Sequence, residues 1–149
     1  MRLEDEIQQQ KFKSEKQKAV INLLYTSGYL GSQFSEKAKP FNITRQQYNV
    51  LRILRGQQPN SASINLIKDR MLDKMSDASR IVERLRIKGL IERRVSASDK
   101  RVVDINITAK GMTLLQTMEP VVNSVEDLFK LFSNEELLKF NEMLDKIRA

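Results

Sequence analysis

The sequence contains no cysteine and no histidine, and these two absences remove several kinds of chemistry at once. Without cysteine the chain has no disulfides, thiolate nucleophiles, iron–sulfur ligands or thiol redox sensor. Without histidine it lacks the commonest general base, and the two absences together remove the usual ligands of zinc. Only carboxylate or lysine chemistry is left for a catalytic site, so an enzyme is the weaker functional class, and we expect no cofactor.

Long apolar runs are also missing. The chain begins MRLEDEIQQQKFKSEKQK, which is charged and rich in glutamine and has no apolar segment of the length that a signal peptide needs. The longest apolar stretch nearby, AVINLLY, is too short to span a bilayer. We therefore expect a soluble, cytoplasmic protein with no membrane partner.

Positive charge, by contrast, is in excess. Lysine and arginine number 26 against 19 aspartate and glutamate residues, which gives a formal net charge of +7 and a pI near 9.7. This balance favours polyanionic partners or anionic membrane surfaces, and charge alone does not choose between them. The 149 residues suit one domain, although a large dimer interface could use part of its apolar surface.

The amino-terminal region predicts one long helix, from about Glu4 to Ala38, that ends at Pro40. Its first turns are polar, so we expect an extended arm that becomes buried only from about Val20 onward. Gly28 and Gly31 cost stability inside a helix, and they indicate either a close crossing with another helix or a local break.

Two short helices follow, each with its own start signal. Thr44 and Gln47 fit a capping box at the start of the first, which stops before Pro59. Ser61 or Ser63 is placed to cap the second.

A third short helix begins at Met75 or Ser76 and ends at Gly89. Its apolar stripe, at helical spacing, consists of Ala78, Ile81, Val82 and Leu85. The opposite face carries Ser76, Ser79, Arg80, Glu83 and Arg84.

A β-hairpin is predicted next, with strands at LIERRV and VDINI joined by the loop Ser96–Arg101. Thr108 then caps a long helix that Pro120 must kink or break, and Ser133 with Glu136 forms a second capping box before the last helix. Three short helices followed by a hairpin describe a winged helix-turn-helix, in which the third helix enters a DNA major groove and the hairpin is the wing. The predicted fold class is mainly α with a small β-hairpin, flanked by long helices.

Most of the excess charge lies between Arg80 and Arg101. This segment contains eight basic and three acidic residues, a net charge of +5. Charge concentrated on a candidate recognition helix and its hairpin is the electrostatic footprint expected for contact with a phosphate backbone. The alternative is a solvated face that carries lysine and arginine for solubility.

The segment Ile43–Gly111 resembles the winged helix of the MarR family, the multiple antibiotic resistance regulators. The resemblance rests on ITRQQYNVLRIL, SDASRIVERLRIKGLIERR and SDKRVVDINITAKG, the last matching the family's Asp-x-Arg loop followed by a strand and Leu/Ile-Thr-x-x-Gly. It implies a single domain over residues 1–149, with a winged helix at residues 41–108 and dimerisation helices at residues 1–40 and 109–149. The implied function is a homodimeric, ligand-responsive repressor that binds a palindromic operator in double-stranded DNA.

By this resemblance Arg101 enters or flanks the minor groove, and Asp99 pairs with it and holds the loop in shape. A guanidinium suits a narrow, electronegative groove, and a neighbouring carboxylate limits the rotamer freedom that binding would otherwise remove. Lys100 is expected to contact phosphate. The alternatives are an ordinary turn acid at Asp99, bonded to its own backbone, and an exposed strand end at Arg101.

On the third short helix, four residues occupy the amino-terminal positions that approach base edges in this fold: Ser76, Asp77, Ser79 and Arg80. Arg80 is the best candidate for a base contact, because arginine bonds guanine through two hydrogen bonds, whereas Arg84 is expected to meet phosphate. Asp77 could accept a bond from cytosine or only complement the helix dipole. The other candidate DNA contacts are Arg93 and Arg94.

The sequence departs from the family in the turn MLDKM, which lacks the frequent glycine and has Asp73 where an apolar residue is common. Relatives often bind small aromatic or anionic effectors between the dimer helices and the winged helix. The aromatic residues that could line such a crevice, or equally belong to the core, are Tyr25, Tyr29, Phe34, Phe41 and Tyr48. The competing hypothesis is a winged helix that serves as a protein-interaction module or binds nucleic acid without sequence choice.

Overall fold

The computed structural model describes residues 1–149 and consists of eight α-helices and one two-stranded antiparallel sheet. The predicted fold class is confirmed. In chain order the elements are α1 (Leu3–Glu6), α2 (Glu15–Ala38), α3 (Arg45–Gln57), α4 (Ile64–Arg70), α5 (Ala78–Ile87), β1 (Ile91–Val95), β2 (Val103–Ile107), α6 (Ala109–Thr117), α7 (Glu119–Glu126) and α8 (Asn134–Arg148). Short 3₁₀ helices follow α2 and α7, at Lys39–Phe41 and Asp127–Phe129.

The amino-terminal region is not the single helix that was predicted between Glu4 and Ala38. A new helix starts after Ser14, whose hydroxyl accepts a hydrogen bond from the backbone amide of Gln17 at 3.2 Å. The side chain of Gln17 in turn accepts one from the amide of Lys13 at 2.7 Å. These local bonds satisfy amides that a helix start leaves free, and they therefore favour a new start over a continuous helix.

Helix α1 folds back along α2 instead of forming an extended arm. The carboxylate of Glu6 accepts a hydrogen bond from the phenol of Tyr25 at 2.7 Å, and Glu4 forms an ion pair with Lys18. Leu3 is buried. The first turns of α2 are thus bonded to the beginning of the chain.

The prediction that α2 becomes buried from about Val20 is wrong. Val20 and Leu24 are 58% and 68% exposed, and the helix buries only Phe34 and Ala38 near its carboxyl end. The reason is that most of its apolar stripe finds no neighbour within a single chain.

One hydrophobic core surrounds α3, which packs against α2, α4, α5, α6 and β2. The largest fully buried side chains are Leu51, Leu54, Ile67, Met71, Leu85, Ile105, Leu115, Met118, Val50 and Val82. Burying one such side chain stabilises the fold by about 1.5–3 kcal/mol. Helix α8 has no buried residue and contributes nothing to this core.

Side-chain caps start α3, α4 and α8 where the sequence predicts. Thr44 and Gln47 form the capping box of α3, and Ser133 and Glu136 form that of α8. Of the two serines considered for α4, Ser63 provides the cap.

The predicted stops are confirmed as well. Gly89 ends α5 with a φ of +72°, a left-handed conformation that glycine adopts without strain. Thr108 caps α6, and the helix breaks at Met118, just before Pro120. The predicted long helix is therefore two helices.

The hairpin is held at its base by a third segment. Strands β1 and β2 are antiparallel, with Ile91 opposite Ile107. In addition, the backbone groups of Ala62 and Ile105 exchange two hydrogen bonds of 2.9 Å, and both residues are buried. The segment before α4 thus adds one residue pair to the edge of the sheet.

Gly111, the glycine of the motif ITAKG, lies where α6 crosses the start of the hairpin. A methyl group on its Cα would overlap the carbonyl oxygen of Leu90 and the side chain of Ile107. Only glycine allows α6 to approach the backbone this closely.

Candidate nucleic-acid interface

The turn between α4 and α5 is held by side-chain hydrogen bonds to its backbone. Asn49 of α3 accepts a bond from the amide of Leu72 at 2.9 Å, and Asp73 accepts one from the amide of Met75 at 3.0 Å. Hydrogen bonds from the Met75 amide and then from Ser76 hold the pKa of Asp73 below its ordinary value. Sequence analysis did not identify Asn49, whose only signal is an amide side chain within the apolar pattern of α3.

Helix α5 begins later than predicted, with Asp77 as its N-cap instead of Met75 or Ser76. The carboxylate of Asp77 accepts a hydrogen bond from the amide of Arg80 at 3.1 Å. A carboxylate at this position satisfies a free amide and also complements the helix dipole. Asp77 therefore has a structural role, and its contact with DNA stays a prediction.

Helix α5 presents one buried and one exposed face, as its spacing predicts. The core-facing residues are Ala78, Val82 and Leu85. The exposed residues include Ser79, Arg80 and Arg84, while Ser76, just before the helix, is half-buried.

The one acidic residue of α5, Glu83, already forms an ion pair within the helix. Glu83 forms a 2.7 Å ion pair with Arg86, which lowers the pKa of Glu83 and raises that of Arg86. Arg80 and Arg84 form no ion pair within the chain. Their guanidinium groups are therefore available to a ligand.

The tip of the hairpin is a tight, bonded loop. The amide of Ser96 donates to the carbonyl of Val102, and the amide of Val102 donates to the carbonyl of Asp99, both at 2.9 Å. The side-chain pair predicted between Asp99 and Arg101 is not formed, because the carboxylate accepts a bond from the backbone amide of Arg101 at 2.9 Å, as in an Asx turn. Asp99 thus shapes the loop, and the guanidinium of Arg101 is exposed.

The other candidate DNA contacts on the hairpin differ in whether they form an ion pair within the chain. Arg94 pairs with Glu92 at 2.9 Å, and the side chain of Arg94 is 72% exposed. Such an exposed pair is weak, so it competes little with a stronger anion. Arg93 and Lys100 are exposed and form no ion pair.

Two neighbouring elements therefore present cations that form no ion pair with an acid of the chain. Helix α5 is joined to β1 through Gly89 and packs against it. The exposed cations without an ion pair on this helix and hairpin are Arg80, Arg84, Arg93, Lys100 and Arg101. Such an array suits a polyanion, whose charges also repeat over a long distance.

A basic cleft of about 710 Å³ opens at the other end of α5. Its lining includes four cations and no carboxylate: Lys39, Arg45, Arg84 and Lys88. Lys88 is half-buried and donates to the carbonyl of Asn42 and to the side chain of Gln47. Burial, followed by the nearby charge of Arg84, lowers the pKa of Lys88.

The aromatic residues considered for a ligand crevice do not line this cleft. Phe34 is buried and lies 5.0 Å from Tyr48 between ring centroids, and Phe41 and Tyr48 pack against the core. Tyr25 and Tyr29 are exposed on α2. Of the two interpretations, ligand crevice or core, core packing applies to Phe34, Phe41 and Tyr48.

Three short helices, a basic third helix and a paired hairpin define a winged helix-turn-helix protein. Residues 41–102 match the model of the MarR family. The resemblance inferred from the sequence is thus confirmed for the winged helix.

Several solved structures share the fold. A MarR transcription factor from Planctomyces limnophilus is 28% identical, with a TM-score of 0.67 over 93% of this chain and 96% of that one. MepR of S. aureus, solved in complex with DNA, is 24% identical, with a TM-score of 0.77 over 92% and 97%. BpsR of Bordetella bronchiseptica, whose DNA binding 6-hydroxynicotinic acid regulates, is 21% identical, with a TM-score of 0.72 over 88% and 99%.

None of the α-helices has both the length and the apolar character that crossing a bilayer requires.

Proposed function

We propose that this chain is a sequence-specific, double-stranded DNA-binding repressor of transcription that acts in the cytoplasm as a homodimer and has no enzymatic activity. The observation that carries the proposal is the set of unpaired cations on α5 and the hairpin. In this assignment residues 41–108 bind DNA, and residues 1–40 and 109–149 form the dimer.

The DNA contacts divide between two grooves. Ser76, Asp77, Ser79 and Arg80 lie at the start of α5, which enters the major groove, and Arg84 one turn later meets phosphate. Arg101 reaches the minor groove from the loop that Asp99 shapes. The remaining phosphate contacts are Arg93, Arg94 and Lys100.

The exposed apolar residues of the long helices support the dimer. Val20 and Leu24 on α2 and Met143 and Ile147 on α8 are between 58% and 68% exposed. Exposed apolar residues on the helices at both ends of a chain are typical of surfaces that a second copy covers. The two winged helices would then meet successive major grooves, ~34 Å apart, on a palindromic site.

The basic cleft supports a small anionic or aromatic effector. Its four cations and lack of carboxylates favour an anion. The relation of BpsR to 6-hydroxynicotinic acid is a precedent in a protein with this fold. An effector that binds one spacing of the two winged helices better than another would change DNA affinity.

The test is selection of duplexes from a random library, followed by titration of the winning duplex at about 0.15 M salt against a scrambled duplex. A sequence-specific regulator is expected to prefer the selected site by roughly a thousandfold or more, and the site is expected to be palindromic. Equal affinity for the scrambled duplex, with a steep salt dependence, would instead indicate a nonspecific architectural module. No binding to either duplex would overturn the proposal.

The dimer is tested by sedimentation velocity on two variants of α8. Ile147→Lys places a charge on the apolar face, and Glu142→Lys places the same charge about 140° around the helix, on the polar face. The first is expected to sediment as a monomer and the second as a dimer. A wild-type chain that sediments as a monomer would overturn this part of the proposal.

A further inference from the structure

Met75 is the most exposed large apolar residue of the winged helix, with 93% of its surface accessible to solvent. It lies in the turn between α4 and α5, two residues before the N-cap Asp77. Exposure alone does not indicate a function, because single apolar side chains are common on protein surfaces. What distinguishes Met75 is its position at the start of α5 and the ordered backbone that carries it.

The backbone on both sides of Met75 is held by hydrogen bonds. Its own amide donates to the carboxylate of Asp73 at 3.0 Å, and the amide of Ser76 donates to the carbonyl of Asp73 at 3.3 Å. The side chain of Lys74 turns back to α4, where it donates to the carbonyl of Asp69. The side chain of Met75 therefore extends into solvent from an ordered turn, so a ligand that contacts it has little backbone freedom to remove.

Met75 is also the one apolar group that the start of α5 presents to solvent. The residues from Ser76 to Arg80 carry hydroxyl, carboxylate or guanidinium groups, except Ala78, which is buried in the core. In the proposed interface the start of α5 enters the major groove. The C5-methyl group of thymine is the apolar feature that base pairs present in that groove. An apolar side chain at this position therefore matches thymine.

Other occupants account for the other exposed apolar residues, but not for Met75. Leu72, in the same turn, lines a small cleft of about 270 Å³ with Ser27 of α2 and Asn49 of α3, and so lies toward the dimer helices. The apolar residues assigned to the dimer lie on α2 and α8, whereas Met75 lies on neither helix. Its neighbours along the chain are instead the residues of the proposed DNA interface.

We propose that Met75 is a specificity-determining residue, whose thioether side chain packs against the methyl group of one thymine in each half-site of the operator. The inference deepens the proposed function and rests on it. In the proposed interface Ser76, Ser79 and Arg80 form hydrogen bonds with base edges, and Met75 adds an apolar contact. The unbranched, flexible side chain of methionine suits a contact with a small group on an irregular surface.

The experiment replaces each thymine of the selected duplex in turn by deoxyuridine, which lacks the methyl group and keeps every hydrogen-bonding group of the base. The wild-type chain is expected to bind about fourfold more weakly when the thymine that Met75 contacts is replaced, because the burial of one methyl group is lost. Binding is measured by titration at a fixed salt concentration, so that the phosphate contacts contribute equally to every duplex.

Two substitutions of the same residue form a matched pair. Met75→Gln introduces a polar side chain of similar length, and this variant is expected to bind the thymine and deoxyuridine duplexes equally well at that position. Met75→Leu keeps an apolar side chain and is expected to keep most of the fourfold difference. Because Met75 is exposed, neither change is expected to lower the melting temperature.

Ile87→Gln is the control at a second position. Ile87 is 71% exposed and ends α5, roughly 14 Å along the helix axis from its first residue. The change removes an exposed apolar side chain from the same helix, far from the bases that the start of α5 reads. In an assay without effector it is expected to leave the difference between thymine and deoxyuridine at its wild-type size.

Three results would overturn the inference while the proposed function stands. They are a selected site whose half-sites contain no thymine, equal binding of all the deoxyuridine duplexes by the wild-type chain, and a fourfold difference that Met75→Gln leaves unchanged. A wild-type chain that binds no duplex, or prefers none, overturns the proposed function and this inference with it.

Discussion

The carboxylate of Asp99 and the backbone amide of Arg101 lie 2.9 Å apart, and their hydrogen bond closes the tip of the hairpin. Because the bond uses the backbone of Arg101, it fixes the Cα of that residue and leaves the guanidinium free. The loop therefore separates two tasks: Asp99 sets the shape, and Arg101 supplies the charge.

Arg101→Ala is expected to weaken operator binding strongly while the free energy of unfolding changes by no more than roughly 0.5 kcal/mol, because the side chain is exposed. Asp99→Asn keeps an oxygen that can accept the hydrogen bond from the amide of Arg101. This variant is expected to retain more DNA binding than Asp99→Ala. Titration of the selected duplex and thermal unfolding measure both. Wild-type affinity in Arg101→Ala would remove Arg101 from the interface.

Alanine substitutions at Arg80 and at Arg84 are expected to weaken DNA binding in two different ways. Arg80→Ala should cost about 1–3 kcal/mol of binding and relax the preference at one base pair, because a bidentate contact to guanine is lost. Arg84→Ala should weaken all duplexes alike and reduce the salt slope by about 0.9. Binding of the four single-base variants of each operator position, at several salt concentrations, distinguishes the two patterns.

Two substitutions at Asp77 distinguish its structural role as a helix cap from a role in base recognition. Asp77→Ala removes the N-cap of α5 and is expected to destabilise the fold by about 0.5–2 kcal/mol, whereas Asp77→Asn keeps the cap at nearly full stability. If Asp77 also accepts a bond from cytosine, Asp77→Asn changes base preference at one position. Unchanged base preference in Asp77→Asn would leave the residue with its structural role alone.

Gly111→Ala is expected to destabilise the protein by about 1–3 kcal/mol or more, because the added methyl group overlaps backbone rather than a mobile side chain. Gly56→Ala is the matched control, since no atom lies within 4 Å of its added methyl group in α3. It should leave stability equal or higher. Urea unfolding of the two variants checks the contrast.

The lowered pKa of Asp73 predicts that the stability contributed by the turn decreases slightly at acidic pH. Its pKa is lowered in the fold, chiefly by the amide of Met75, so the ionised form contributes stability at pH values above its ordinary 3.8. That contribution is lost as the pH falls through the lowered value. The stability difference between the wild-type chain and Asp73→Asn should therefore shrink below about pH 4, and a difference that grows on acidification would contradict the assignment.

The sequence predicts most of the winged helix because its signals are local. The pairs Thr44–Gln47 and Ser133–Glu136 each lie within four residues, and Gly89 marks its own turn. The alternation of VDINI likewise defines a strand without reference to the rest of the chain.

The sequence predictions that were wrong concern features that local patterns do not determine. The start of a helix at Ser14 depends on competition between two ways of satisfying the same amides, which helical spacing does not reveal. The exposure of Val20 means that no element of the single chain packs against it, which helical spacing does not reveal. The place of Arg45 beside Gly31 joins residues 14 positions apart, so it is visible only in the folded chain.

The double backbone bridge between Ala62 and Ile105 limits how the wing can adapt to its target. Swinging the whole hairpin would break two buried hydrogen bonds, so flexibility is confined to the tip at residues 96–101. The reach of Arg101 is then close to the length of its own side chain. A change in the distance between binding sites on a duplex is then met by movement of the winged helix as one body, and not by swinging of the hairpin at its base.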